Sequence, residues 1–261
     1  MSVILTVLGC GDSGGVPMIG NHWGLCDPLE PRNRRTRSSV VVRSETTTLL
    51  IDTGPDLRAQ ANREGLGKID AIFYTHMHSD HTMGIDEIRA QNKRLGFITT
   101  PVYSTKETLD DITKRFDYMF VQQHKIYPTV LEAHVVEPAQ YTKPMTIGDI
   151  EFTPFIQDHG TCETLGFRFG SVGYSTDMVN MPPESFEVLK GIKTWIVDAA
   201  GYKMERNLVH ARLQDVYRFN EIIGAEQVYL SHLPAGIDYK TLQSETPAGY
   251  DPAYDGLELV C

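Results

Sequence analysis

Short runs rich in β-branched residues alternate along the chain with stretches whose apolar positions recur every three to four residues. Val3–Leu8, Ser39–Val42 and Thr48–Ile51 read as strands bounded by Gly, Arg and polar turns. Asp56–Glu64 reads as a helix closed by Gly65, and Ala71–Tyr74 as a buried strand running straight into a histidine cluster. Helical spacing continues in Ile85–Arg94 and Lys106–Phe116. The second half repeats the same element types: strands at Ile150–Phe155, Thr164–Phe169, Val172–Ser175, Trp195–Val197 and Gln227–Leu230, helices at Ser185–Leu189 and Leu213–Ile223. Polar residues gather at the strand ends, a pattern that predicts an α/β protein with helix-covered sheets and its chemistry along one edge.

A length of 261 residues suits one domain spanning 1–261 with a sizeable core. No segment approaches the roughly 20 apolar residues that cross a bilayer. The N-terminal apolar run has neither a basic lead nor a small-residue cleavage site, so a cytoplasmic protein without membrane partners is expected. Cys10, Cys26, Cys162 and Cys261 are too few and too scattered for a disulfide framework and read as free thiols. The net charge of -10 disfavours long nucleic acids. A small anion remains compatible with it where cations reverse the field locally.

The densest chemistry is His76-Met77-His78-Ser79-Asp80-His81, four metal-binding side chains in six residues directly after a buried strand. A compact loop of this kind can aim His76 and His78 to one side and Asp80 with His81 to another, serving two neighbouring ions. These residues match the His-x-His-x-Asp-His signature in full, and in them the sequence resembles the metallo-β-lactamase superfamily. The resemblance implies an αββα four-layer sandwich. It also draws in His159 of Gln157-Asp158-His159-Gly160, Asp177 at the end of Gly173–Asp177, His232 of Leu230-Ser231-His232-Leu233, and Asp52 of Leu50–Gly54. Carried over, it gives one ion His76, His78 and His159, the other Asp80, His81 and His232. Asp177 would bridge them, and Asp52 would support the ligand loop. Taken singly, His159 or His232 would more often be an ordinary histidine; in series with the cluster they read as ligands.

The fold does not choose the substrate. His78 stands where diiron oxidoreductases of this fold carry glutamate, which points to a nonredox site. His210 in Leu208–Leu213 and Asp198 closing Trp195–Asp198 resemble the phosphodiesterase branch, which includes the tRNA 3′-processing endonucleases and the cyclic ribose-phosphate phosphodiesterase of phosphonate breakdown. The pair reads as a general-acid histidine oriented by a carboxylate. Arg212 stands where that branch usually has Ser or Thr. The turn Leu8–Pro17 resembles the branch's opening glycine loop, so Ser13, Gly14 and Gly15 are expected to meet substrate beside His210.

The insertion Gly20–Arg37 departs from those relatives, which carry several cysteines for a structural zinc where this chain has only Cys26; His22 is its one other candidate ligand. Its basic run Arg32, Arg34, Arg35, Arg37 reads more readily as a solvated, paired loop than as a phosphate clamp. His124 and His134 read as surface or helix residues. Residues 97–147 contain no glycine, so the Gly- and Pro-rich tRNA-gripping arm has no counterpart. The expectation is a hydrolase with two divalent ions, zinc or manganese, whose bridging hydroxide attacks a small cyclic or nucleotide-like phosphodiester, Asp80 and Asp177 helping to deprotonate the water. The rivals are a thioester or lactone hydrolase, which shares the metal ligands, and a nonenzymatic nucleotide sensor. A homodimer is compatible with all three.

Overall fold

The computed structural model describes every residue except 1, 123, 124 and 127, so His124 lies outside the described residues. Among the described residues the strands form two seven-stranded sheets. In chain order the first sheet contains β1 (Ile4–Gly9), β2 (Ser39–Arg43), β3 (Thr48–Ile51), β4 (Ala71–Phe73), β5 (Thr100–Ser104) and β6 (Leu131–Val135). The second contains β7 (Met145–Ile147), β8 (Ile150–Asp158), β9 (Glu163–Phe169), β10 (Val172–Ser175), β11 (Thr194–Asp198), β12 (Gln227–Ser231) and β13 (Tyr250–Pro252). The last strand, β14 (Glu258–Val260), crosses back to pair antiparallel with β1 and closes the outer edge of the first sheet.

The sheets face one another across a core that draws Leu5, Val40 and Phe73 from one and Phe152, Phe167 and Ile196 from the other. Helices cover both outer faces. Leu57 of α1 (Leu57–Arg63), Ile88 of α3 (Ile88–Arg94) and Leu109 with Ile112 of α4 (Lys106–Arg115) pack on the first sheet. Phe186 of α6 (Pro183–Leu189), Val216 and Phe219 of α7 (Leu213–Ile223) and Leu242 of α8 (Tyr239–Glu245) pack on the second. Two short helices, α2 (Ser79–Thr82) and α5 (Asp117–Phe120), complete the set. The result is the αββα sandwich that the resemblance implies. No helix among the described residues is long and apolar enough to cross a membrane.

The elements legible from periodicity fall where expected to within a few residues, save that Ile85–Arg94 begins as a 3-10 turn over Ile85–Glu87. Strands β5, β6, β7, β13 and β14 are additions. They are three to five residues long, and two include a proline, so their pattern is too brief to register. β3 to β6 run parallel, as do β10 to β13, so each set turns its carboxyl ends to one edge.

The insertion is anchored to the loop that follows β12. Arg35, 2% exposed, donates from Nη1 to Ile237 O at 2.7 Å and from Nη2 to Asn33 Oδ1 at 3.2 Å. Asn33 in turn donates to Asp238, and the Cys26 thiol donates to Ile237 O. The basic run is thus committed within the fold. Arg32 lies over Tyr239 and Tyr254, Arg34 over Trp23, and Arg37 pairs with Asp56. Among the described residues Arg35 has no carboxylate partner, so its charge rests on neutral oxygens. Replacing it by leucine removes the guanidinium donors and leaves Ile237 O only the weak Cys26 thiol and Asn33 Oδ1 only the Tyr239 amide. Arg35→Leu should therefore lower the free energy of unfolding by about 2–4 kcal/mol in urea titration. A loss under about half a kcal/mol would mean that the insertion is held by other contacts.

Candidate metal centre

Most of the chemically distinctive side chains sit at or just beyond the carboxyl end of a strand. Asp52 follows β3, His76 lies three residues past β4, His159 follows β8, Asp177 lies two past β10, Asp198 ends β11 and His232 follows β12. Asp52, Asp177 and His232 take left-handed backbone conformations, with φ of 65°, 48° and 59°. Such strain in non-glycine residues persists only where surrounding contacts impose it, and it marks the sharp turns that direct strand ends inward.

Two donor groups result, and a third, of His159, Asp177 and His210, overlaps both. Ring nitrogens of His76, His78 and His159 lie within 4.8 Å of one another, as do donor atoms of Asp80, His81, Asp177 and His232. Asp177 stands between them: Oδ1 is 3.6 Å from His159 Nε2, while Oδ2 is 3.0 Å from His81 Nε2 and 3.2 Å from His232 Nδ1. All are buried except His78, which is exposed.

The imidazoles are held from behind. Asp52, wholly buried, accepts from Thr75 N at 2.8 Å, Thr75 Oγ1 at 2.9 Å and His81 Nδ1 at 2.7 Å. That fixes the ring of His81 with Nε2 toward the cluster. The Val209 carbonyl accepts from His159 Nδ1 at 2.7 Å, which settles the same tautomer there. Thr75 Oγ1 lies 3.0 Å from His76 Nδ1, and Ser38 Oγ 3.1 Å from His232 Nδ1. Backbone packing locks the loop as well: a Cβ on Gly54 would lie 2.4 Å from the Asp80 carbonyl oxygen.

The electrostatics suit a cation. Burial, with His81 and other imidazoles beside it, drives His76 well below its usual value and keeps it neutral, the state a ligand needs. His78 is lowered by burial and by His159. Burial opposes ionisation of Asp177 and Asp80, yet neighbouring imidazoles outweigh it and hold both carboxyls below the usual range. His81 is raised well above its usual value: burial opposes its charge, but Asp177, Asp52 and Asp80 surround it. Nε2 of His76 is buried without a hydrogen-bond partner, and Nε2 of His81 meets only the Asp177 and Asp80 carboxylates, at 3.0 and 3.3 Å, outside hydrogen-bond geometry. Orphaned imidazole nitrogens facing carboxylates fit a divalent ion with mixed nitrogen and oxygen ligands.

His210 lies beside both groups, its ring 5.1 Å from His159 and 5.0 Å from His232. Its Nδ1 is 2.7 Å from Asp198 Oδ2. Asp198 is fully buried and also accepts the amides of Met178 and Ala200. Burial works against the charged form of His210, but Asp198, with Asp177 and Asp80 behind it, raises it to about 9.

The structure thus brings together the seven candidate ligands, Asp52, Asp198 and His210. The glycine turn is different. The amides of Gly14 and Gly15, two of the residues expected to meet substrate, donate within the turn to Asp12 Oδ1 and to Asp12 O. Ser13 beside them is exposed. His22 is exposed, His134 stacks on Tyr103, and Cys26 belongs to no donor group among the described residues. Sequence reasoning missed Ser38, Thr75 and the Val209 carbonyl. Hydroxyls and backbone oxygens carry no distinctive pattern; only the place of Thr75, one residue before His76, could have hinted at its role.

Comparison with known proteins agrees with this geometry. Residues 47–233 match the family model of the Beta-lactamase superfamily domain. A crystal structure of "a New Diphosphatase from the PhnP Family" superposes with a TM-score of 0.87 at 34% identity, covering 100% of this chain and 98% of that one. An octanoyltransferase of Porphyromonas gingivalis is 30% identical over 97% of this chain, which spans about half of that protein, 51%. A ribonuclease Z of Myxococcus xanthus is 39% identical over 22% of this chain and 19% of its own length.

Asp52 offers a test that needs no metal. In Asp52→Asn one amide N–H must face Thr75 or His81, both of which donate. Unfolding of the chelator-treated variant should show a loss of about 1–3 kcal/mol. An unchanged stability would contradict the role of Asp52 as acceptor for Thr75 and His81.

Proposed function

We infer the function from kinship and geometry together: the chain belongs to the beta-lactamase superfamily and, within it, to the PhnP family. On that footing it is a metal-dependent phosphodiesterase with a binuclear centre, acting on a small cyclic or nucleotide-like diester. His76, His78 and His159 would hold one ion, Asp80, His81 and His232 the other, with Asp177 shared. Bound divalent ions supply Lewis acidity that activates water and neutralises charge on a phosphoryl group.

The observation that carries the reading is the His210–Asp198 pair beside the two donor groups. The leaving oxygen of a diester needs a proton or a strong hydrogen-bond donor as its bond to phosphorus breaks. Asp198 takes the Nδ1 proton, so the other ring nitrogen of His210 is the one that donates. Asp198 is itself fixed by two amides and cannot turn away. Asp80 and Asp177 are the carboxylates beside which an attacking water would lose its proton. Burial of the cluster strengthens each of these interactions relative to water.

A thioester or lactone hydrolase has in its favour the acyl-transfer name of the P. gingivalis relative. A thiolate departs without a proton, so on thioesters that reading leaves the His210–Asp198 pair without work. The experiment follows from this difference. His210→Ala should keep its metals and lose roughly 10²–10⁴-fold in kcat on a diester with a poor leaving group, and much less on an activated aryl diester. Asp198→Asn should reproduce part of that loss. Equal slowing of good and poor leaving groups, or loss of metal from His210→Ala, would remove His210 from the role of proton donor.

A further inference from the structure

Between β11 and α7 the chain runs from Ala199 to Arg212 without a helix or strand, and residues 203–206 and Leu208 are exposed. This irregular segment nevertheless carries two things the site depends on. One is the imidazole of His210. The other is the Val209 carbonyl, which receives the Nδ1 proton of His159 at 2.7 Å.

One side chain holds the backbone beside both. Asn207 Oδ1 accepts the Val209 amide at 3.0 Å and the His210 amide at 2.9 Å, a local turn closed by a side chain in place of backbone. The His210 amide and the Val209 carbonyl belong to the same peptide unit. In a trans peptide the N–H and C=O point in opposite directions within one plane. With its N–H held on Asn207, that unit directs its oxygen away from Asn207 and onto His159. The neighbouring contact is equally close: a Cβ on Gly160 would lie 2.2 Å from Leu208 O and 3.1 Å from Val209 Cγ1, so the segment rests on the backbone just past His159.

We propose that Asn207 is a positioning residue that ties the proton donor to the first ion site, by orienting the one peptide whose oxygen fixes the ring of His159 and whose following Cα carries His210. This rests on the phosphodiesterase reading for its catalytic half only; its metal-binding half stands on the donor geometry alone. Asn207 belongs to none of the donor groups and acts through Val209 and His210. Its oxygen is what matters, so aspartate, which keeps an acceptor in that place, should substitute for it where alanine cannot.

The test compares Asn207→Ala and Asn207→Asp with the parent protein in three measurements. In the metal-free protein, hydrogen exchange at the His210 amide should accelerate about tenfold or more in Asn207→Ala and stay close to the parent rate in Asn207→Asp. Zinc affinity, read by competition with a chromogenic chelator, should fall by about 10–100-fold at one of two sites in the alanine variant and recover in the aspartate variant. With bis-alkyl or cyclic diesters, kcat should fall in Asn207→Ala while KM changes little. Unchanged exchange and unchanged zinc affinity in Asn207→Ala would overturn the proposal whatever the activity. The predicted exchange and affinity changes with no diester turnover in any variant would uphold the positioning role and count against the phosphodiesterase reading. Equal loss in both variants would also overturn it, since the acceptor would then not be the operative group.

Discussion

Burying carboxylates and imidazoles side by side at the meeting of two sheets is the condition around which everything else in this molecule is arranged. Asp52, Asp80 and Asp177, together with His76, His81, His159 and His232, are all at most 9% exposed. Each such group loses hydration that nothing apolar could replace. They remain together because each is answered: Asp52 by Thr75 and His81, His159 by the Val209 carbonyl, Asp198 by two amides and His210. Among these carboxylates and imidazoles, the fully buried atoms left without a well-formed hydrogen bond are Nε2 of His76 and of His81. The local cost of the arrangement is visible in the left-handed backbone at Asp52, Asp177 and His232.

The sandwich supplies the rigidity that this needs. Its parallel strands turn their carboxyl ends toward one edge, so residues far apart in sequence converge without long loops. β3 delivers Asp52, β4 the histidine loop, β10 Asp177, β11 Asp198 and β12 His232. The apolar faces between the sheets and beneath the helices hold those ends in register. The insertion makes a quieter contribution. Through Arg35 and Cys26 it fastens the loop beyond His232, and through Ser38, just past its end, it reaches the His232 ring. Anchors behind His76, His81, His159 and His232 give the cluster its geometry.

How much of this was legible in the sequence follows from the range of each signal. The cluster His76–His81 is local and dense, and the strands that end in Asp52, Asp177 and His232 have clear apolar runs, so the family resemblance they carry was enough to draw the distant residues into two donor groups. Long strands and helices with full periods registered too; brief strands such as Tyr250–Pro252 and Glu258–Val260 did not. The hydrogen bonding of the glycine turn was not legible, because a Gly-rich motif does not reveal who takes its amides. Asp12, in the same turn, takes two of them. The basic run was likewise unreadable beyond its charge, since stacking on Trp23, Tyr239 and Tyr254 depends on loops that meet only in the fold. Asn207 shows the limit most plainly: its role comes from one peptide plane, and no residue-type pattern encodes that.

If two ions held by these side chains hydrolyse a diester, one preparation can show both the binding and the chemistry. The metal-free protein would be reconstituted with zinc or with manganese, its bound metal counted by elemental analysis, and the same sample assayed against bis-aryl phosphodiesters, 2′,3′-cyclic nucleotides, thioesters and lactones. Two divalent ions per chain in at least one of these metals, with a clear preference for diesters, is the expected result. No bound metal under metal-replete conditions, or thioester or lactone turnover faster than that of every diester, would contradict it.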